Sequence, residues 1–255
     1  MANLAQAITD WLGKHVEAAG ARGLVVGLSG GVDSAVVARL CQLAMPRATL
    51  IILLPCHSDP RDEQDARLVA DHFELPTLTI NLEPAYDALV PAAQAALERL
   101  PASMTPVAWA DDDLRARVPL ANLKPRLRMM SLYFVANRLN YLVAGTGNRS
   151  EIAIGYFTKY GDGGVDLLPL GGLAKSRVLE LARELGVPAP VIRKAPSAGL
   201  WLGQTDEAEM GFSYADLEAY LNGGPEAVAA TLAVKIERLV SASEHKRRLP
   251  PIFQQ

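Results

Sequence analysis

The chain has little of several features that mark specialised classes of protein. Only two of its 255 residues are cysteines, Cys41 and Cys56, and their spacing fits neither a disulfide framework nor a zinc site. No apolar run approaches membrane-spanning length, and the N-terminal residues have no signal-peptide core. We therefore expect a cytoplasmic protein that makes no contact with a membrane.

A strong excess of charge of one sign is also missing. The 25 lysines and arginines nearly balance the 28 aspartates and glutamates, which leaves a net charge of −3. This balance argues against a nucleic-acid partner, and it means that an anionic substrate must be held by local groups and a metal. A chain of this length can bury a substantial core, and no linker divides it, so we expect a single domain over residues 1–255.

Apolar runs that suit buried strands alternate with amphipathic stretches that suit helices. The predicted strands are 24–26, 48–54, 77–80 and 141–144. The predicted helices are 4–20, 35–43, 84–100, 122–139, 176–185, 213–221 and 225–240, together with one that Ser58 or Asp59 caps and that runs to residue 73. The alternation predicts an α/β fold with a doubly wound, mostly parallel sheet, helices on both faces and ligands at the carboxyl ends of the strands.

Two regions interrupt this rhythm. Residues 101–119 contain several prolines and the acidic trio Asp111, Asp112 and Asp113, and we expect them to form an irregular excursion. Beyond residue 145 the glycine content rises, which favours binding loops until the helix predicted from residue 176.

The most informative stretch is LVVGLSGGVDS, at positions 24–34. Glycines between a strand and a helix let successive N–H groups converge on an anion, and the helix N-terminus adds a positive partial charge. We therefore predict an anion-binding loop formed by Gly27, Leu28, Ser29, Gly30, Gly31, Val32, Asp33 and Ser34.

The spacing excludes two common nucleotide-binding loops. No lysine precedes Ser34, so the GxxxxGK[ST] pattern fails, and Ser29 stands where GxGxxG needs its second glycine. What distinguishes this loop is the carboxylate of Asp33 inside a phosphate cradle. Phosphates would repel it unless a divalent cation lay between them, so Asp33 implies Mg²⁺. A plain glycine-rich turn is the alternative.

Two later stretches carry further candidates. GTGNRSE, at 145–151, follows a predicted strand and offers the Thr146 hydroxyl and the Glu151 carboxylate, although it could equally be a capped helix start. The glycine-dense run at 155–178 contains charges of both signs beside aromatic residues suited to stacking on a ring. A solvated surface loop is the alternative there.

These stretches together resemble a known family. SGGVDS resembles the pyrophosphate-binding loop of the ATP pyrophosphatases, which have a Rossmann-like fold of the adenine nucleotide alpha hydrolase type. With NLKPRLRMM, GTGNRSE, FTKYGDGGVDLLPL, PSAGLWLGQTDEAEMG and EHKR, the chain is similar to the ammonia-dependent NAD synthetases from residue 27 to 248.

The resemblance implies roles at individual positions. The loop from Gly27 to Ser34 would hold ATP together with Thr146, Lys175 and Ser197, and Asp33 and Glu151 would bind Mg²⁺. Deamido-NAD would be bound by Arg126, Lys159, Asp166, His245 and Lys246. The catalytic residues would be Asp33, Lys175 and Asp166.

The same resemblance implies a reaction and an assembly. Deamido-NAD would be adenylated by ATP and then amidated by ammonia, in a homodimer whose substrate site includes residues of both subunits. The loop begins at residue 27, so we expect no glutaminase domain and free ammonia as the nitrogen source. The segment 203–210 would be a lid. Pro125 departs from the family, which more often has alanine there, and it puts the start of its helix in doubt.

Two other functions share parts of this pattern. Another ATP pyrophosphatase, such as a GMP-synthetase-like or tRNA-modifying ligase, would share SGGVDS but not FTKYGDGGVDLLPL. A regulatory protein that senses ATP without chemistry would have no need of two separated metal carboxylates, Asp33 and Glu151.

Overall fold

A computed structural model describes residues 4–101, 103–104, 114–201 and 203–254. In these ranges the strands are β1 (Gly23–Gly27), β2 (Thr49–Leu53), β3 (Thr77–Thr79) and β4 (Tyr141–Val143). The first helices are α1 (Leu4–Ala18), α2 (Val32–Ala44), α3 (Pro60–His72), α4 (Glu83–Leu97), α5 (Leu114–Ala121) and α6 (Leu123–Leu139). The later helices are α7 (Arg149–Ile154), α8 (Lys175–Glu184), α9 (Ala189–Arg193), α10 (Asp206–Met210), α11 (Tyr214–Gly223), α12 (Ala230–Ala242) and α13 (Glu244–Arg247).

The sheet is parallel throughout, with the strand order β3-β2-β1-β4. Val26 lies opposite Ile51 on one side of β1, and Leu24 lies opposite Leu142 on the other. The chain moves outward from β1 to β3 and then returns to place β4 beyond β1. The predicted doubly wound sheet is confirmed, and the reversal makes the carboxyl ends of β1 and β4 the expected ligand edge.

Each face of the sheet is covered by its own set of helices. Leu24 and Val26 point to a core formed with α1, α2, α3 and α8. Val25 and Ile52 alternate to the opposite face, where α6 and Tyr86 of α4 pack. Near-continuous burial on both faces explains why β1 and β2 are apolar apart from Thr49 at the start of β2.

The C-terminal helices form a third cluster beside the sheet. Leu217 of α11 and Ile236 of α12 are fully buried in it, against Ile154 of α7 and Met210 of α10. This cluster places the segment that precedes α11 against the ligand edge.

None of the described helices has both the length and the apolar content needed to cross a membrane.

Two expectations about secondary structure are wrong in part. Residues 114–119, predicted to be irregular, belong to α5, which contains Pro119 and is followed at once by α6. The acidic trio at 111–113 lies outside the described residues. The single helix predicted over 225–240 is instead a 3₁₀ turn at Pro225–Ala227 and then α12, because Val228 between them is fully extended.

Pro125 does not prevent its helix from forming. Asn122 is the N-cap of α6, so Pro125 lies in the first turn, where the missing N–H would have had no partner within the helix. The helix then ends at Leu139, and its C-cap residue Asn140 adopts a left-handed conformation.

Candidate active site

A cavity of about 530 Å³ lies at the carboxyl ends of β1 and β4. Twelve of the residues predicted for the site line it: Gly27, Leu28, Ser29, Gly31, Val32, Asp33, Ser34, Thr146, Glu151, Lys175, Ser197 and Lys246. The structure thus gathers the predicted ATP and metal residues around one space. Gly30, Arg126, Lys159, Asp166 and His245 are outside this lining.

The predicted anion loop is built around the start of α2. Gly31 is the N-cap of this helix, and no side chain caps the N–H groups of its first turn. The Ser34 hydroxyl accepts a hydrogen bond from Ser29 N at 3.2 Å and donates one to Gly31 O at 2.9 Å, which holds the loop in a tight curl. Free N–H groups and the helix dipole therefore face the cavity, as anion binding requires.

Three charged side chains meet beside this loop. Lys175 Nζ forms an ion pair with Asp33 Oδ2 and lies 3.9 Å from Glu151 Oε1. Burial lowers the pKa of Lys175, but Asp33 and Glu151 outweigh it, so the pKa is raised and the ammonium stays charged. Burial and then the charge of Asp33 raise the pKa of Glu151 to about 8. At neutral pH the Glu151 carboxyl is therefore largely protonated while Lys175 is paired with Asp33, and a cation that binds Glu151 must displace this proton.

Asn148 fixes two of these carboxylates at once. Its side chain caps α7 by accepting a hydrogen bond from Glu151 N at 3.0 Å, and Glu151 Oε2 accepts one from Asn148 N at 3.2 Å. Asn148 Nδ2 also donates to Asp33 Oδ1 at 3.0 Å. GTGNRSE is therefore both a capping box and part of the site, and the spacing of Asn148 and Glu151 is the sequence signal that indicates it.

Four of the predicted deamido-NAD residues form a second group. Arg126 donates to the Lys159 carbonyl oxygen at 3.4 Å, and Lys159 Nζ donates to the His245 carbonyl oxygen at 2.7 Å. Lys246 Nζ donates to the carbonyl oxygens of Gly155 and Phe157, both at 2.7 Å. The side chains of Arg126, Lys159 and Lys246 make no ion pair with a described carboxylate, so these three residues form a positive patch beside the cavity.

Asp166 is placed differently from the other candidates. Its Oδ2 accepts a hydrogen bond from Val143 N at 2.8 Å, and its Oδ1 accepts one from the Tyr133 hydroxyl at 2.9 Å. These contacts tie the glycine-rich segment to the end of β4, where Ala144 and Leu167 also form a bridge. The geometry gives Asp166 an anchoring contact, and its predicted catalytic role stays a prediction.

Two charged residues that line the cavity, Arg128 and Lys194, are not among the predicted site residues. Arg128 lines it and donates to Leu54 O at 3.1 Å and to Ser58 Oγ at 3.0 Å, with its pKa lowered by burial. Lys194 ties the segment before Ser197 to α3 through Asp62 at 2.7 Å. Such groups are distant in sequence, and no local pattern brings them together.

Comparison with known proteins agrees with this geometry. A family model described as NAD synthase matches residues 4–250. An NH(3)-dependent NAD(+) synthetase from Carboxydothermus hydrogenoformans is 51% identical over 245 residues, which are 96% of this chain and 94% of that protein.

Two solved structures are similar to this chain over nearly its whole length. The structure of NMN synthetase from Francisella tularensis matches with a TM-score of 0.87 and 38% identity, over 99% of this chain and 98% of that one. NAD+ synthetase from Burkholderia pseudomallei matches with a TM-score of 0.76 and 35% identity, over 97% of this chain and 90% of that one. The family predicted from the sequence is confirmed: the chain belongs to the NAD synthase family.

Proposed function

We propose that the protein is an ammonia-dependent NAD synthetase, a ligase that converts the carboxylate of deamido-NAD into the amide of NAD. ATP is the co-substrate and leaves as AMP and pyrophosphate. The observation that carries this proposal is the 51% identity to an NH(3)-dependent NAD(+) synthetase over nearly the full length of both chains. The cavity beside an uncapped helix N-terminus supports it, because ATP needs such a phosphate site.

The reaction proceeds in two displacements. A carboxylate oxygen of deamido-NAD attacks the α-phosphorus of ATP, and the bond to pyrophosphate breaks. Ammonia then attacks the activated carbonyl carbon, loses a proton and displaces AMP. Steps of this kind depend on positioning and charge neutralisation more than on a protein nucleophile. The N–H groups of the loop and the buried ammonium of Lys175 supply both.

The donor set at the loop suits Mg²⁺, and we propose that Asp33 and Glu151 hold it. Within the described ranges, no three His, Cys, Asp or Glu residues are arranged to hold a metal by themselves. Mg²⁺ commonly uses one or two carboxylates and completes its shell with substrate phosphates and water. Asp33 and Glu151 flank the ammonium of Lys175, and a bound cation would favour the ionised form of Glu151 and screen ATP. When bound, Mg²⁺ supplies charge neutralisation for the leaving pyrophosphate.

We further propose that deamido-NAD binds at the patch formed by Arg126, Lys159 and Lys246, together with His245. Unpaired cations suit the diphosphate of a dinucleotide. Most of this patch lies outside the cavity of the single chain, which supports a homodimer whose second subunit completes the site. Met130 and Phe134, one turn apart on α6, are 61% and 69% exposed and are apolar side chains that such an interface would cover.

A mononucleotide is the second candidate substrate for this site. The structure of NMN synthetase from Francisella tularensis has the higher TM-score of the two structures compared above. That name indicates amidation of a mononucleotide, which undergoes the same carboxylate chemistry without the adenylyl half. Nicotinic acid mononucleotide is therefore the alternative substrate of the same site.

One experiment tests the function. The purified protein is incubated with ATP, Mg²⁺, ammonium and either deamido-NAD or nicotinic acid mononucleotide, and the amide product and pyrophosphate are quantified. We expect one NAD per pyrophosphate and a kcat/KM for deamido-NAD at least tenfold above that for the mononucleotide. Glutamine replaces ammonium in a parallel reaction and should support no turnover. Folded protein that binds ATP but forms no amide would contradict the proposal.

A further inference from the structure

Tyr214 lies beneath the charged group formed by Asp33, Lys175 and Glu151. It is the first residue of α11, and only 6% of its surface is exposed. Its hydroxyl donates to Asp206 Oδ2 at 2.8 Å and lies 3.4 Å from Glu151 Oε1. A phenol has a single proton, and the shorter contact assigns that proton to Asp206.

The ring of Tyr214 meets the other half of the charged group. Lys175 Nζ lies 5.2 Å from the centre of the ring, within the range of a cation–π contact. The same side chain thus touches Glu151 through its oxygen and Lys175 through its ring face. Any rotation of the tyrosine would disturb both residues.

Asp206 connects this tyrosine to the segment around Ser197, which also lines the cavity. It is 4% exposed, it lines the cavity, and its N–H donates to the Pro196 carbonyl oxygen at 3.0 Å. Pro196 directly precedes Ser197, a predicted ATP contact. The orientation of Tyr214 therefore depends on a residue whose own backbone is fixed by the segment around Ser197.

Tyr214 gives the Asp206 carboxylate its close hydrogen bond, and the hydroxyl of Tyr156 and the ammonium of Lys175 also act on this carboxylate. Its Oδ1 has no hydrogen-bond partner in the described part of the chain. A buried carboxylate oxygen without a partner is costly, and an asparagine or an apolar residue would fill the position at lower cost if packing were its only purpose.

We propose that Asp206 and Tyr214 are positioning residues for the adenylation step. Asp206 holds the Tyr214 hydroxyl, and Tyr214 holds Lys175 and Glu151 in place, so the charged group is correctly set only when the segment around Pro196 is docked. This inference rests on the proposed function, because it concerns the same site.

The test uses four variants of the full chain. Tyr214→Phe removes the hydroxyl but keeps the ring under Lys175, and Asp206→Asn keeps the shape of the side chain; the two are also combined. Tyr220→Phe is the matched control, since Tyr220 is partly buried on the same helix. For each variant, kcat and KM for both substrates are measured, with the melting temperature and the Kd of a non-hydrolysable ATP analogue in the presence of Mg²⁺.

We expect Tyr214→Phe to lower kcat about 10- to 100-fold, because the ring loses the hydrogen bond to Asp206 that orients it, and Lys175 and Glu151 are then less well positioned for adenylation. The KM for deamido-NAD and the Kd of the analogue should stay within threefold of wild type, and Tyr220→Phe should match wild type. The double variant should be no slower than the slower single variant, within twofold, because both act through one contact.

Three results would overturn the inference: a kcat for Tyr214→Phe within twofold of wild type, effects that multiply in the double variant, or a loss of analogue binding that equals the loss of kcat. If one single variant fails to fold, the other decides the question. A wild-type protein that forms no amide contradicts the proposed function instead, so the two failures are distinguishable.

Discussion

Replacing Gly30 by alanine tests how closely the anion loop packs against α3. Gly30 has a φ of +80°, in the left-handed region that a residue with a Cβ occupies only at a cost. An added Cβ would lie 2.2 Å from the Asp62 carbonyl oxygen and 3.1 Å from Ala66 N, both backbone atoms that cannot rotate away. The loop would have to move by about 1 Å to reach an ordinary contact distance.

The expected loss of stability follows from three effects. The left-handed conformation costs alanine about 1–2 kcal/mol, and forcing an extra carbon into a packed contact costs about 1–3 kcal/mol. The lower entropy of the unfolded chain returns about 0.4–1 kcal/mol. We therefore expect Gly30→Ala to lower the free energy of unfolding by about 2–4 kcal/mol, a large part of the usual stability of a domain.

Gly31→Ala is the matched control in the same loop. Gly31 has a φ of −90°, and its added Cβ would meet only Ser29 Oγ, at 3.5 Å. Its stability should be unchanged or raised by up to about 1 kcal/mol. Gly31, unlike Gly30, lines the cavity, so its methyl group should weaken ATP binding in a protein of normal stability.

Urea unfolding followed by circular dichroism, and calorimetric titration with ATP and Mg²⁺, separate the two variants. Equal stability of Gly30→Ala and wild type, within about 0.5 kcal/mol, would refute the reasoning. An equal loss of stability in Gly30→Ala and Gly31→Ala would also refute it, because the loss would then depend neither on the φ of the glycine nor on its distance from α3.

Three further predictions concern the charged group. Burial raises the pKa of Glu151 from 4.5 to about 8, so between those pH values the folded state holds a proton that the unfolded state has lost. The free energy of unfolding of the metal-free protein should therefore fall by a few kcal/mol as the pH rises from about 5 to 8. Urea unfolding of Glu151→Gln should show no such fall. A variant that loses stability with pH as steeply as wild type would contradict this prediction. Asp33→Ala should lower kcat at least about 100-fold with an unchanged circular dichroism spectrum, and surviving activity would mean that the metal assignment is wrong. Asn148→Ala should cost about 1 kcal/mol from the lost cap of α7, with a drop in kcat because Asp33 loses a hydrogen bond. A variant as stable and active as wild type would contradict that role.

The parts of the fold that sequence predicts well are those with strong local signals. β1, the loop and α2 follow from a short apolar run, closely spaced glycines and a helical pattern, all within about twenty residues. The sequence does not predict α5 or the break at Val228. Both lie in segments that contain a proline, where helical and non-helical conformations have similar local propensity.

The sequence by itself determined the family, the anion loop and the identity of its charged residues, because these depend on residue types at fixed spacing. Tertiary structure alone decided which of them meet. It brought Lys175 between Asp33 and Glu151, joined Arg126 to Lys159 and His245, and placed Tyr214 and Asp206 beneath the site. The physical reason is that such contacts join segments up to 142 residues apart, whose distances are set by the packing of the sheet and its helices.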